Sequence, residues 1–125
     1  MALFPNNPED AIECCENIVR ALNEVNVVRQ AAGKSLLRIG MGVHYGKMIL
    51  GMIGEEHRLD DTVISDTVNT ASRIESYAEK QKLSVVVSET IVHKTPNTDK
   101  DRYHPLGEIR VKGKAMPLLL SEYRV

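Results

Sequence analysis

Behind Asn7-Pro8-Glu9-Asp10, the apolar residues Ala11, Cys15, Ile18, Leu22 and Val25 recur at steps of three and four. That spacing predicts one long amphipathic helix running toward Gly33, with Asn7 and Pro8 marking its start. From Leu37 the period changes: Leu37, Ile39, Met41 and Val43 alternate with Arg38, Gly40, Gly42 and His44, the pattern of a strand. Tyr45-Gly46-Lys47 reads as a turn and Met48 to Ile53 as a second apolar run, so the two runs predict a hairpin whose glycines admit close packing from above. The charged stretch Glu55 to Asp61 reads as a loop or strand end.

A helix is expected from Ser65 or Asp66 to between Glu79 and Lys82. Thr67, Ala71, Ile74 and Ala78 form a narrow stripe of apolar or small residues for the core, while Asn69 and Arg73 project from a different face, one turn apart. Leu83 to Val87 is a short and nearly all-apolar strand, which predicts burial on both faces, and Ser88 is placed to cap a brief helix through His93. Pro96 to Lys100 is a polar loop. Tyr103 to Val111 and Met116 to Tyr123 read as two closing strands joined by the turn Lys112-Gly113-Lys114. This order predicts an α+β sandwich, helices on an antiparallel or mixed sheet, with no internal repeat or linker.

Size and charge narrow the function classes. The 125 residues fit one domain around a single core. With 16 basic and 17 acidic residues the net charge is −1, so no global field draws the chain to nucleic acid or an anionic membrane, and any phosphate site is local. One Phe, four Tyr and no Trp leave little from which to build an aromatic platform for single-stranded nucleic acid, which argues against an RNA-binding sheet. No apolar run approaches the roughly 18 residues that span a bilayer, and the first ten residues lack a secretory signal, so a cytoplasmic location is expected. The adjacent Cys14 and Cys15 lie in a helical pattern that disfavours a mutual disulfide and offers too few soft ligands for zinc; both are expected as reduced thiols.

The common catalytic signatures are missing: no Walker A loop, no GxGxxG, no HExxH and no nucleophile elbow. His44, His57, His93 and His104 show no ligand spacing and read as ordinary surface or satisfied histidines. Lys112 and Lys114 flank a glycine in a tight turn, where two ammonium groups can converge on phosphate oxygens, although such a turn alone more often serves solubility. The Asn69 and Arg73 pair is by spacing alone an ordinary solvated face.

Four stretches change that balance. LRIGMGVHYGKMILGMIG, RLDDTVISDTVNTASRIES, SVVVSE and VKGKAMPLLLSEY, in this order, resemble the second half of the catalytic domain of class III nucleotidyl cyclases, the adenylyl and guanylyl cyclases. The resemblance implies a ferredoxin-like catalytic fold, head-to-tail pairing of two domains as a homodimer or with a partner cyclase domain, and cyclisation of ATP or GTP with release of pyrophosphate. It implies that Arg73 faces the α-phosphoryl group, that Asn69 orients the ribose and that Thr62 contacts the purine edge, where a Thr resembles the adenylyl members and favours ATP. Lys112 or Lys114 matches the lysine on the terminal phosphates, with Arg58 or His57 as weaker candidates from the preceding loop.

Two departures from the family pattern matter. Ser65 stands where the family commonly has the glycine of GDTVN, which removes a residue free to adopt positive φ. The family's two metal-binding aspartates lie upstream of the matching stretches; Met1-Ala2-Leu3-Phe4 resembles the end of the hairpin that carries one of them, and Asp60, Asp61 and Asp66 are not at the matching positions. No metal ligand is therefore assigned in this chain, and the Mg²⁺ or Mn²⁺ pair is expected in a parent protein. The expectation is a C-terminal piece, residues 1–125, of an adenylyl cyclase domain, inactive alone and without direct membrane insertion, although upstream segments of a parent could anchor it. A guanylyl cyclase, or a non-catalytic dimerisation or regulatory module of the same fold, are the alternatives.

Overall fold

The structure is a computed structural model that describes residues 1–48 and 58–125, with only the helical backbone of residues 58–65. In chain order its elements are α1 (Pro8–Ala31), β1 (Met41–Val43), α2 (Arg58–Lys80), β2 (Val85–Ser88), α3 (Glu89–Lys94), a 3-10 turn at Lys100–Arg102, β3 (Tyr103–Ile109) and β4 (Leu118–Tyr123). The four strands form a mixed sheet in the order β1-β2-β4-β3. β1 runs parallel to β2, pairing Met41 with Val85 and Val43 with Val87, while β2–β4 and β4–β3 are antiparallel.

The sheet is covered on both faces, which is why the three valines of β2 form an unbroken apolar run before Ser88. Successive side chains of a strand point to opposite faces. Val85 and Val87 pack with Ala11, Ile12 and Cys15 of α1, Ile91 of α3, Tyr103 and Tyr123, whereas Val86 packs with Ile74 and Ala78 of α2 and Leu120. All three valines are fully buried, each such burial contributing about 1.5–3 kcal/mol. Both Cys14 and Cys15 are free thiols, and Cys15 is buried, its thiol pushed up to about 11 chiefly by that burial.

Helix termini follow local chemistry. The Asn7 side chain accepts the Glu9 N–H at 3.0 Å, capping α1 as the sequence predicts. At the other end Gly33, at φ +73°, stands at the left-handed position of a Schellman motif, with its N–H on Gln30 and that of Lys34 on Arg29. The same motif ends α2, where the left-handed position is Lys82 at φ +61°: Lys82 N–H meets the Glu79 carbonyl and Leu83 N–H the Ala78 carbonyl.

Three elements differ from their sequence reading. The strand expected from Leu37 is confined to Met41–Val43, because β2 supplies partners from Val85 onward and because the Asn26 amide already engages Leu37, accepting its N–H at 2.8 Å and donating to its carbonyl at 2.9 Å. α2 begins at Arg58, about two turns before Ser65, so Arg58 to Asp61 belong to a helix and not to a loop. Ser88 does precede α3 but makes no side-chain cap; its hydroxyl is engaged by His44 and Thr90. Of the expected second hairpin strand, residues 49–53 lie outside the described residues.

Candidate functional site

The site is assembled where α2 crosses β1. Glycines permit that crossing: a Cβ on Gly42 would lie 2.3 Å from the Glu75 backbone nitrogen and 2.8 Å from the Ala71 carbonyl oxygen, and one on Gly40 would lie 2.9 Å from the Glu79 nitrogen. The helix backbone thus rests directly on the strand, as the two glycines of the expected hairpin suggest. Past β1 the chain crosses α2 one residue beyond Asp66, where Thr67 Oγ1 donates to the Lys47 carbonyl at 2.8 Å.

With Thr67, Thr70, Ile74 and Ala78 buried, α2 turns Asp66, Asn69 and Arg73 to a separate face. Ala71, expected in the buried stripe, is only half-buried. The three polar residues follow one another at steps of three and four and so share a side of the helix over about 10 Å of its length. The turn between β3 and β4 lies on this face. Lys114 Nζ donates to Asp66 Oδ1 at 2.9 Å, and Gly113, at φ +87°, comes so near Arg73 that an added Cβ would stand 2.6 Å from a terminal guanidinium nitrogen and 2.9 Å from Cζ. Lys112 projects into solvent and Asn69 is exposed, whereas Lys114 and Arg73 are half-buried.

The electrostatics agree with this packing. Hydrogen bonding to Lys114, and after it the Lys114 charge, hold the Asp66 carboxyl below its ordinary value, with smaller help from His44 and Arg73. His44, at the end of β1, shares a 2.9 Å hydrogen bond between Nδ1 and Ser88 Oγ, and Ser88 in turn meets Thr90 Oγ1 at 2.8 Å. Burial first, and the Lys114 ammonium second, hold the imidazole below its usual value against the opposing pull of Asp66. His44 is therefore the satisfied histidine the sequence suggests, although it belongs to the wall of the site.

Of the residues picked out in the sequence, Asn69, Arg73 and the Lys112–Lys114 turn are brought together. The side chains of Thr62 and Arg58 lie outside the described residues, as does His57. Asp66 and Gly113 were not singled out as site residues. For Asp66 a signal was present, its place three residues before Asn69 and seven before Arg73; for Gly113 none was, because contact with Arg73 depends on how the turn docks. Among the described residues no group of three or more His, Cys, Asp or Glu lies close enough to hold a metal ion, and the Asp66 carboxylate is already paired with Lys114. The described residues therefore do not fit a divalent-metal site.

A cavity of about 850 Å³ lies elsewhere on the domain. It lies between the first five residues, α1, β1 and α2, lined among others by Phe4, Ile18, Met41 and Ala71, and neither Arg73 nor the lysines of the turn reach it. Its apolar walls suit packing against polypeptide better than holding a charged ligand. No described helix is long and apolar enough to cross a membrane.

Known proteins resemble this chain over most of its length. Residues 2–121 match the family model described as the adenylate and guanylate cyclase catalytic domain. Adenylate cyclase 1 of Rhizobium meliloti is 32% identical over 91% of this chain, which spans 17% of that relative. Adenylate cyclase of Anabaena cylindrica is 28% identical over 99% of the chain and 26% of the relative. Photoactivated adenylate cyclase subunit beta of Euglena longa is 30% identical over 98% of the chain and 14% of the relative. The chain thus spans about a quarter or less of the length of these curated relatives.

Proposed function

Because the chain belongs to the family of adenylate and guanylate cyclase catalytic domains, we propose that it supplies the nucleotide-contacting wall of an adenylate cyclase, which converts ATP to 3′,5′-cyclic AMP and pyrophosphate. The observation that carries this reading is the docking of the Lys112–Lys114 turn on the α2 face that bears Asn69 and Arg73. Three cations, of which Lys114 is paired with the Asp66 carboxylate, and an amide then border one surface, in a chain whose overall charge attracts no anion.

In this reaction the ribose 3′-oxygen forms a bond to the α-phosphorus, the bond from that phosphorus to the β-bridging oxygen breaks, and the 3′-hydroxyl proton is lost. Negative charge grows on the α-phosphoryl and leaving oxygens. Arg73 meets the first with a planar fork of N–H donors, and Lys112 or Lys114 meets the second as an ammonium charge. Asn69 fixes the ribose through its amide, which lowers the cost of bringing the 3′-oxygen in line. Thr62 contacts the purine edge, and the adenylate cyclase names of the relatives support ATP over GTP. Arg58 is a further candidate for the terminal phosphates.

The carboxylates for a Mg²⁺ or Mn²⁺ pair come, in this reading, from residues outside this chain, and the isolated 125-residue chain is expected to be inactive. Pairing with a second copy or another cyclase domain completes the cleft; the apolar cavity between the first five residues, α1, β1 and α2 supports such association. The test is to assay cyclic nucleotide formation from ATP and from GTP with Mn²⁺ in a full-length protein carrying this domain. Arg73→Ala and Asn69→Ala are each expected to lower kcat about 100-fold or more, and unchanged turnover in both would remove their roles. Preference for GTP would make the protein a guanylate cyclase. Absence of turnover in the full-length protein, with tight pairing retained, would favour a non-catalytic module.

A further inference from the structure

Arg73 reaches the site from a helix, at the end of a side chain with several freely rotating bonds. An arginine asked to meet charge that develops on one phosphoryl group needs its guanidinium fixed before the reaction, since misplacement by about 1 Å costs about 100-fold in rate. α2 alone fixes only its Cα. Something must support the far end.

Gly113 is the residue in that place. Its Cα lies against the guanidinium closely enough that a Cβ would stand 2.6 Å from a terminal nitrogen, 2.9 Å from Cζ and 3.0 Å from Nε, so the contact runs along the guanidinium and not merely to its tip. The backbone at Gly113 is at φ +87°, in the left-handed region. The left-handed conformation calls for glycine there, and a Cβ would be admitted only if the guanidinium, the movable end of the Arg73 side chain, shifted. The turn cannot easily retreat to relieve a clash, because the next residue, Lys114, is tied to Asp66 at 2.9 Å, two helical turns before Arg73 on the same face. A side chain at position 113 would therefore displace the arginine.

We propose that Gly113 is a positioning residue, the floor that sets the Arg73 guanidinium, with the Lys114–Asp66 pair holding that floor in place. This deepens the cyclase reading and rests on it. Gly113 touches no substrate in this scheme; it acts through Arg73.

The test uses Gly113→Ala and Gly113→Asn in the full-length protein that carries this domain, the second because Asn tolerates the left-handed conformation and preserves folding if Ala does not. Both are expected to lower kcat about 10- to 100-fold while the KM for the nucleotide stays within about threefold, the signature of an interaction lost in the transition state. Combined with Arg73→Lys, which removes the planar group, Gly113→Asn is expected to cost less than about twofold beyond Arg73→Lys alone, since the two act as one unit. Wild-type kcat in both Gly113 variants, or losses that multiply in the double variant, would overturn the proposal. The nitrogen-15 NMR resonance of Arg73 Nε in the 125-residue chain separates the two levels: it is expected to move in Gly113→Asn. If it moves but Arg73→Lys retains full turnover, the cyclase role of Arg73 fails while the packing stands; if it does not move, Gly113 does not position the guanidinium.

Discussion

Lys114 and Asp66 are 48 residues apart in the chain and 2.9 Å apart in the fold, a contact made where the β3–β4 turn lies on the polar face of α2. The Asp66 side chain is about two-thirds exposed and that of Lys114 about one-fifth, so water screens the pair and its value is in placement more than in stability. With the Asp66 pKa below its ordinary 3.8, the pair is fully formed above that value and is lost as pH falls through the lowered one. We expect carbon-13 NMR of the Asp66 carboxyl to show a depressed midpoint in the wild type that rises in Lys114→Met. Equal midpoints in the two proteins would mean that the pair does not form in solution.

His44 gives the site wall a pH dependence. Its folded-state pKa is below the ordinary 6.5, first through burial and then through the nearby Lys114, while the unfolded chain takes up a proton at the ordinary value. Between the two, the unfolded state binds more protons, so stability rises with pH across this window and is lost as pH drops below 6.5. The urea midpoint of the wild type should therefore fall on acidification through this window, and the slope should flatten in His44→Gln. A slope unchanged by the substitution would assign the effect to other groups.

Gly42 is expected to be the least replaceable of the described glycines. The atoms that an added Cβ would meet, Glu75 N at 2.3 Å and Ala71 O at 2.8 Å, are backbone atoms of α2 and cannot rotate away. Gly42→Ala should destabilise the domain by about 2–3 kcal/mol, read by urea denaturation, and by shifting α2 should also weaken any function of Asn69 and Arg73. Gly107 makes a control of a different kind, because no atom lies within 4 Å of its Cβ position and only its φ of +86° resists substitution.

Lys82 occupies the left-handed position that ends α2, where Gly33 stands in the matching motif of α1. Lys82→Gly should stabilise the domain by about 1 kcal/mol, and Gly33→Ala should destabilise it by about the same amount. A Lys82→Gly variant with a lower urea midpoint would show that the lysine side chain contributes more than its backbone strain costs.

Much of the fold was legible because it is written in local chemistry. The Asn7-Pro8 start of α1, the stripe of Thr67, Ile74 and Ala78, the doubly buried valines of β2 and the turn at Gly113 each follow from residue type and period. The differences fell at the bounds of elements. Leu37 to Gly40 alternate like a strand, yet Leu37 is engaged by Asn26 and pairing with β2 begins only at Met41. Arg58 to Asp61 are charged enough to suggest a loop, yet they form the first turn of α2.

For the site the division is similar. The sequence by itself determined which residues are available, Asn69 and Arg73 one turn apart on a helix and two lysines about a glycine, because helical and turn periodicities are local properties of the backbone. It could not determine that the turn would dock on that helix, that Asp66 would take one ammonium, or that Gly113 would lie beneath the guanidinium. Those contacts join residues about 40 to 50 positions apart, and their geometry is set by how α2 settles on Gly40 and Gly42 and by the antiparallel register of β3 with β4. Only the packed sheet, which holds the helix and the turn to one side, makes them neighbours.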